Sequence, residues 1–278
     1  MIPYIINVGL ILMGCLAFYK LLLQKETFYR VNRYVLMVCL VVAFSLPLVH
    51  IPQQFSLRKT EATTNIINNV SVNVAQPNIS AETNKVNQSQ PVQQHENIVS
   101  SNTFSWQQFM QWMLWLYWFG VIVFALNFIA QTIILFYRAY TNPVIKDGRF
   151  RIVEVKGDKA PCSFLNNIFI NPEKYDWNVY NQVLQHEKIH IQQRHSLDIL
   201  IAELVLIVQW FNPFAWQYRK EIENNLEFLT DNQLVQKEHV EKSSYQMSLL
   251  KVSAPHFPLS LTTNYNQSLL KKRIAMMN

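Results

Sequence analysis

Hydrophobic residues are concentrated in three long blocks, at residues 3–23, 34–51 and 110–137, with polar segments between them. Each block carries few charges and is long enough to cross about 30 Å of hydrocarbon as an α-helix. Closely spaced tryptophans near the start of the third block are typical of a lipid–water interface; they are Trp106, Trp112, Trp115 and Trp118. The pattern therefore predicts three membrane-spanning helices.

The first block lacks the features of a cleaved signal peptide. No Lys or Arg precedes Lys20, and no small-residue cleavage site follows the block. A secretory signal normally has both a basic start and such a site. We therefore expect the block to be a retained span.

A fourth apolar run, at residues 197–211, is too short and too polar to be assigned as a span from its composition. It contains Asp198, Glu203 and Gln209, and Asn212-Pro213 is predicted to end it. A helix needs about 20 apolar residues to cross the bilayer, and charged positions inside it are costly. The run could be interfacial, re-entrant or packed within a domain.

Two segments after the third block are typical of β-strands, at residues 150–155 and 164–171, and a helix is predicted at 177–193. A strand ahead of such a helix could take a substrate chain as an added strand, or it could only pack on the helix. Residues 52–105, by contrast, are rich in Asn and Gln and have too few apolar residues for a core. We expect a flexible loop, either a tether or a contact surface for an outside partner.

Composition and charge fix an orientation for the predicted spans. The chain has 278 residues, and only 15% are charged, whereas about a quarter is typical of soluble domains. Basic residues flank the spans on one side; they are Lys20, Lys25, Arg30 and Arg33 in the first loop and Arg138, Lys146, Arg149 and Arg151 after the third block. By the positive-inside rule these segments are cytoplasmic, and the N-terminus and the long loop lie outside. The net charge of +6 then reflects topology, and no direct nucleic-acid binding is expected.

The predicted helix at 177–193 carries the motif His186-Glu187-Lys188-Ile189-His190. Residues four apart share a helical face, so both imidazoles can bind one zinc ion. Glu187 can then take a proton from water as the catalytic base. Taken alone, the same pentapeptide also fits two solvated histidines on a polar helix face.

A third metal ligand is expected downstream, because catalytic zinc sites have three protein ligands and an open position. Glu227 is our candidate, with Asp231 four residues later placed to orient a ligating histidine from behind. His195 competes with Glu227, but the residues between it and His190 lack the glycine turn of the metzincin pattern. We therefore expect His195 to support the site, not to bind the metal.

The third ligand sets a geometric condition on the fourth apolar run, which lies between His190 and Glu227. A single crossing of the membrane by residues 197–211 would leave the proposed ligands on opposite faces. A shared metal therefore requires that this run does not cross. For oxyanion stabilisation the sequence offers only His195 and His239 as candidates.

Together, the three apolar blocks, the motif HEKIH, the stretch WFNPFAW and the later LEFLTD resemble the BlaR/MecR-type membrane metallopeptidases, the antirepressor family of beta-lactam sensing. The resemblance extends from residue 1 to about 235. It implies zinc bound by His186, His190 and Glu227, with Glu187 as the base. It also implies that an outside signal is relayed when the protein cleaves itself or a cytoplasmic protein such as a transcriptional repressor.

Three departures from the family limit this expectation. His195 and Asp198 stand where an aspartate often follows the motif, and Thr230 replaces a cysteine before Asp231. A fourth span and an outer penicillin-binding domain have no counterpart in the sequence, so we do not predict beta-lactam sensing and expect a fragment or a shortened relative. The basic run near Arg273 is predicted to lie on the membrane surface or to approach a missing span.

The predicted fold is mainly α, with multi-span membrane helices and a cytoplasmic zincin-like α+β peptidase domain containing a small sheet. Its parts are two spans with a short cytoplasmic loop (1–51), the outer loop (52–105), a third span (106–138), the peptidase domain (139–240) and a basic C-terminal tail (241–278). The predicted location is the bacterial inner membrane, in contact with lipid. The sequence is compatible with a homodimer. Two alternative functions also fit it: a non-catalytic signalling scaffold and a metal-responsive sensor.

Overall fold

The computed structural model describes residues 2–49, 106–237, 240–253 and 264–277. The predicted outer loop and His239 lie outside the described residues. Within these ranges the chain is mostly helical, with long apolar helices near the N-terminus and one small mixed sheet. Its helices are α1 (Ile2–Phe18, continued by a π-helical turn at Tyr19–Leu23), α2 (Tyr29–Ser45, followed by a 3-10 turn at Leu46–Leu48), α3 (Trp106–Thr141), α4 (Trp177–Gln192), α5 (His195–Val208), α6 (Pro213–Lys237), α7 (Lys242–Ser253) and α8 (Asn264–Met277).

All three predicted spans are helices that are long and apolar enough to cross a membrane: Pro3–Leu23, Tyr29–Leu48 and Trp106–Thr141. The second begins five residues earlier than the sequence predicts. The buried Asn32 side chain donates hydrogen bonds to the backbone oxygens of Leu23 and Glu26. These bonds close the turn between α1 and α2 and allow α2 to begin before its apolar stretch.

The sheet has the order β1-β2-β4-β3. Its strands are β1 (Val144–Asp147), β2 (Phe150–Glu154), β3 (Cys162–Phe164) and β4 (Asn167–Ile170). The central pair β2–β4 is parallel, and the two outer pairs are antiparallel. The prediction of one strand at 164–171 is wrong, because the chain turns at Leu165, where φ is 53°, and returns as a hairpin. Strand β1 was not predicted.

The α5–α6 connection also differs from the prediction. Helix α5 ends at Val208, and Asn212-Pro213 begins α6 instead of ending α5. The Asn212 side chain accepts a hydrogen bond from the backbone N–H of Phe214 (3.0 Å), and proline is favoured at the first helical position because its missing N–H would have no partner there. The Asn212 cap and Pro213 together therefore start α6 directly after a short turn from α5.

Helices α5 and α6 pack side by side as a hairpin against α1 and α2. Buried apolar side chains from all four helices form one cluster, including Leu12, Leu36, Ala202 and Tyr218. At the tip of the hairpin, the Gln209 side chain donates to the backbone oxygen of Ile5 (2.9 Å). Helix α3 approaches the same tip at Gly120, where a Cβ atom would overlap the Trp210 ring. The chain therefore turns back after α5, so residues before α5 and late in α6 lie at the same end.

The described part of the predicted C-terminal tail forms the helices α7 and α8. A buried cluster joins Ile189 of α4 and Leu234 of α6 to Tyr245 and Leu249 of α7. Leu270 and Met277 of α8 pack against this cluster. The C-terminal segment therefore packs on the helices that carry the predicted site.

Candidate metal centre

The two motif histidines continue the buried stripe of α4. Val179 and Val183 on this helix pack against strands β2 and β4, and His186 and His190 follow at spacings of three and four residues. Such spacing keeps all four side chains on one helical face. The Nε2 atoms of His186 and His190 lie 3.0 Å apart. The local sequence thus places both imidazoles together, facing α6.

Glu227 reaches the two histidines from α6. Its Oε2 atom lies 3.4 Å from Nε2 of His186, and its Oε1 atom lies 3.8 Å from Nε2 of His190. The three residues form a group whose ligand atoms all lie within 4.8 Å of one another. Donor atoms each about 2 Å from a tetrahedral zinc ion are separated by about 3.3 Å. The observed spacings fit such an ion.

The Oε2 atom of Glu227 is buried and accepts no hydrogen bond. Arg273 lies close to it, with Nη1 at 2.9 Å, but this ion pair does not satisfy the oxygen with a hydrogen bond. Buried carboxylate oxygens that accept no hydrogen bond are costly and uncommon. A cation bound between Glu227 and the two histidines would satisfy it, so the residues fit a metal ion.

The far side of His186 is held by Tyr245 and Asp231. The Tyr245 hydroxyl donates to Oδ1 of Asp231 (2.7 Å) and lies 2.8 Å from Nδ1 of His186. Because the hydroxyl proton goes to the carboxylate, Nδ1 must donate its own proton to the hydroxyl oxygen. Nε2 of His186 then keeps its lone pair for a metal. Asp231, predicted to orient a histidine, acts on His186 mainly through Tyr245.

His195 lies behind His190. Its Nδ1 atom is 2.9 Å from Nδ1 of His190, and its Nε2 atom is 3.2 Å from the Gln193 side-chain oxygen. With its proton on Nε2, His195 accepts a hydrogen bond from His190 at Nδ1, which leaves Nε2 of His190 free for a metal. His195 therefore contacts the nitrogen that faces away from the cluster, as a supporting residue would.

The pKa values of His190, His195 and Glu227 are all lowered, although the cause differs between the histidines and the glutamate. Burial, and then the nearby His186, lower the pKa of His190. Burial and the nearby His190 lower the pKa of His195 to about 2. For Glu227, burial alone would raise the pKa, but Arg273 and the two histidines outweigh it and hold the pKa well below its usual range. A neutral His190 and an ionised Glu227 are the forms that bind a metal.

These residues lie within a region matched by one family. The family model described as BlaR1 peptidase M56 matches residues 5–277. The chain belongs to the BlaR1 peptidase M56 family. The family resemblance of the sequence is thereby confirmed, and the match extends beyond residue 235 through α7 and α8. A comparison with curated proteins finds no match.

Membership of the M56 family makes the chain a metallopeptidase, and together with its long apolar helices it indicates a membrane protein. Glu187, the predicted base of this M56 peptidase, is buried beside His186 on α4. Its charge is one of the influences that raise the pKa of His190, against the larger effect of burial. Helix α4 contacts strand β3 at the edge of the sheet.

Three residues that contribute to the M56 site were missed by the sequence analysis. Tyr245 and Arg273, from α7 and α8, contact the candidate ligands His186 and Glu227 and also Asp231. Arg33 of α2, counted only as a topology signal, donates to the backbone oxygen of Gln193 (2.8 Å) and pairs with Asp198 (2.7 Å). It thereby holds the turn between α4 and α5. Arg33 and Arg273 were noted in the sequence only as members of basic segments, and no spacing related them to the HEKIH motif.

Proposed function

We propose that this M56 peptidase is a membrane-embedded zinc-dependent endopeptidase that relays a signal. It would cleave itself or a cytoplasmic protein such as a transcriptional repressor. The observation that carries the proposal is the Glu227 carboxylate, whose buried Oε2 atom accepts no hydrogen bond, lying beside the Nε2 atoms of His186 and His190. Two imidazoles, one carboxylate and an open position are the donor set of a catalytic zinc site.

In this mechanism the protein residues hold the ligands and move the proton. His186, His190 and Glu227 would hold zinc, which supplies a Lewis acid that polarises the peptide carbonyl. Glu187 accepts the proton of the attacking water and delivers it to the leaving amine. Tyr245 and His195 keep the imidazole protons on Nδ1, so neither histidine can turn away from the site.

The contacts of the first loop support a cytoplasmic site near the membrane surface. Asn225, two residues before Glu227, donates to the backbone oxygen of Tyr29 (3.0 Å), where α2 begins. Lys20, at the end of the first span, lies 3.8 Å from Glu221. Since the positive-inside rule places this basic loop in the cytoplasm, the metal centre would face the cytoplasm, with the N-terminus outside.

In that orientation the α5–α6 hairpin would be re-entrant. Its tip contacts Ile5, near the end of α1 that would be outside, and both of its ends would lie on the cytoplasmic side, where Arg33 pairs with Asp198. The buried amides at the tip are hydrogen-bonded, as apolar surroundings require. This arrangement meets the condition that the fourth apolar run does not cross the membrane between the ligands.

Strand β3 offers a docking edge for an extended substrate. It lies at the end of the sheet order and pairs with β4 on one side. It also contacts α4, which carries Glu187. A peptide chain added along β3 would use backbone hydrogen bonds and would pass beside the metal ligands. Main-chain recognition suits a protein substrate.

The test is comparison of wild type with Glu187→Gln, a change that keeps the shape of the side chain but removes the base. New protein N-termini, including those of the peptidase itself, would be mapped by mass spectrometry in bacteria expressing each protein. We expect wild type to generate termini that the variant produces about 10²–10⁴-fold more slowly, while the purified variant retains zinc. Glu154→Gln on strand β2 is the matched control. Identical termini from wild type and Glu187→Gln would contradict the proposal.

A further inference from the structure

Helix α8 places an arginine beside the proposed metal ligands. Nε and Nη2 of Arg273 contact the two carboxylate oxygens of Asp231 (2.8 and 2.7 Å). Nη1 lies 2.9 Å from Oε2 of Glu227, and Nη2 is also 3.3 Å from the Tyr245 hydroxyl. The side chain is only 14% exposed. One guanidinium therefore contacts a metal ligand and both residues that orient His186.

We propose that Arg273 is a positioning residue of the metal centre, and that α8 is consequently part of the peptidase site. The proposal rests on the proposed zinc function and assigns a role to a segment that the sequence analysis predicted only as a basic tail. Arg273 acts through Glu227 and Asp231 and does not itself need to touch substrate.

Orientation is the first argument. The planar guanidinium forms a fork that matches both oxygens of Asp231, and so fixes the rotation of that carboxylate. Asp231 in turn accepts the Tyr245 hydroxyl proton, which sets the tautomer of His186. The remaining Nη1 holds Glu227 in place beside the two Nε2 atoms. Arg273 thus restrains Glu227 directly and His186 through Asp231 and Tyr245.

Charge balance is the second argument. Three carboxylates, those of Glu187, Glu227 and Asp231, lie in or beside the site. A divalent ion and one guanidinium together carry the three positive charges that balance them. Without Arg273 the loaded site would retain one uncompensated negative charge, and unpaired buried charges are strongly destabilising. The charge count therefore fits an occupied metal site that includes Arg273.

The packing of α8 supports the same role. Leu270 and Met277 anchor the helix against the cluster that contains Ile189 and Tyr245, whereas Lys271 and Lys272 are exposed. Ile189 lies inside the HEKIH motif, so the contacts that dock α8 also contact the helix that carries the histidines. Arg273 therefore lies on the face of α8 that packs against the site, whereas its basic neighbours Lys271 and Lys272 lie on the exposed face.

The experiment compares zinc affinity in the full chain, purified in detergent, by competition with a chromophoric chelator. We expect Arg273→Ala to bind zinc about 10–100-fold more weakly, the usual cost of losing a residue that orients metal ligands. Arg273→Lys restores charge but not the fork, so its affinity should lie between those of wild type and Arg273→Ala. Lys272→Ala, next to it on the exposed face, is the matched control and should match wild type.

A purely structural role would lower the melting temperature without changing the zinc affinity of the folded protein, so both are measured. The effect of Arg273→Ala should also shrink in an Asp231→Asn background, since the two residues act together. Zinc affinity of Arg273→Ala within about twofold of wild type, a change worth only about 0.4 kcal/mol, would overturn the inference. If Arg273→Ala does not fold, Arg273→Lys is measured instead, and a zinc affinity within about twofold of wild type would again overturn the inference. Should His186→Ala retain stoichiometric zinc, the proposed function itself would fail, which is a separate outcome.

Discussion

Two buried polar networks lie along helix α6, and they differ in whether their polar atoms are paired. At its start, Gln209 donates to the Ile5 backbone oxygen, and Asn212 donates to Gln209 while capping α6. These groups are neutral and hydrogen-bonded. Further along α6, Glu227 presents a buried oxygen with no hydrogen bond, beside two imidazole nitrogens.

The difference separates a structural network from a binding site. Buried amides that are fully paired stabilise one arrangement of helices and leave nothing for a ligand to satisfy. A buried carboxylate oxygen that accepts no hydrogen bond costs free energy even beside an arginine, and that cost is recovered when a cation binds. We therefore expect changes in the first network to alter stability alone, and changes in the second to alter metal binding.

The strongest test of this comparison uses two glutamates on the same helix. Glu227→Gln removes the charge of a proposed ligand, so zinc affinity should fall on the order of a thousandfold. Glu221→Gln is the control, because Glu221 lies near Lys20, Gln24 and Asn224 and contacts no proposed ligand. Zinc content and chelator competition measure both. Equal zinc binding by the two variants would remove Glu227 from the site.

A smaller effect is expected at the hairpin tip. Gln209→Leu deletes two hydrogen bonds and leaves the buried Asn212 amide without its acceptor. The free energy of unfolding should fall by about 1–3 kcal/mol, while zinc stoichiometry stays at the wild-type value. Denaturant unfolding in detergent and metal analysis check the two parts. Loss of zinc in the folded variant would mean that the two networks are coupled.

The smallest expected effect concerns pH and His195. Its pKa falls from 6.5 to about 2 in the folded protein, through burial and the nearby His190. The unfolded chain therefore binds a proton below about pH 6.5 that the folded chain excludes, so stability is full above that pH and decreases as pH falls. One such proton contributes at most about 1.4 kcal/mol per pH unit.

His195→Gln should therefore show a shallower loss of stability on acidification than wild type. Unfolding of the zinc-free proteins would be followed between about pH 5 and pH 7, the range in which the unfolded histidine begins to titrate. Parallel pH profiles for the two proteins would show that His195 is not held neutral.

The sequence correctly predicted features that depend on residues close together in the chain. Apolar blocks of sufficient length became the helices that could span a membrane, and the spacing of His186 and His190 placed them on one face of α4. Predictions of strands and turns were less accurate, because the turn at Leu165 and the cap at Asn212 depend on backbone angles and hydrogen bonds that hydropathy does not encode. The need for a third ligand and the spacing of Glu227 and Asp231 pointed to Glu227, and the family resemblance implied the same residue.

Residues distant in sequence were the ones that only the tertiary structure could place. Tyr245 lies 59 positions from His186, and Arg273 lies 42 positions from Asp231, yet both pairs are in contact. No periodicity relates such positions. Their meeting depends on the packing of α7 and α8 against α4 and α6.

The sequence by itself determined the apolar helices and a pair of imidazoles on one helical face, because both follow from local spacing and composition, and its motifs carried the resemblance to the family. The tertiary structure decided that the α5–α6 hairpin turns back, so that Glu227 meets the histidines. It also decided that a basic C-terminal residue becomes the buried partner of Glu227 and Asp231. Helix packing determines these contacts, because it brings together charged side chains that are far apart in sequence. Once buried, such side chains must be paired with groups of opposite charge.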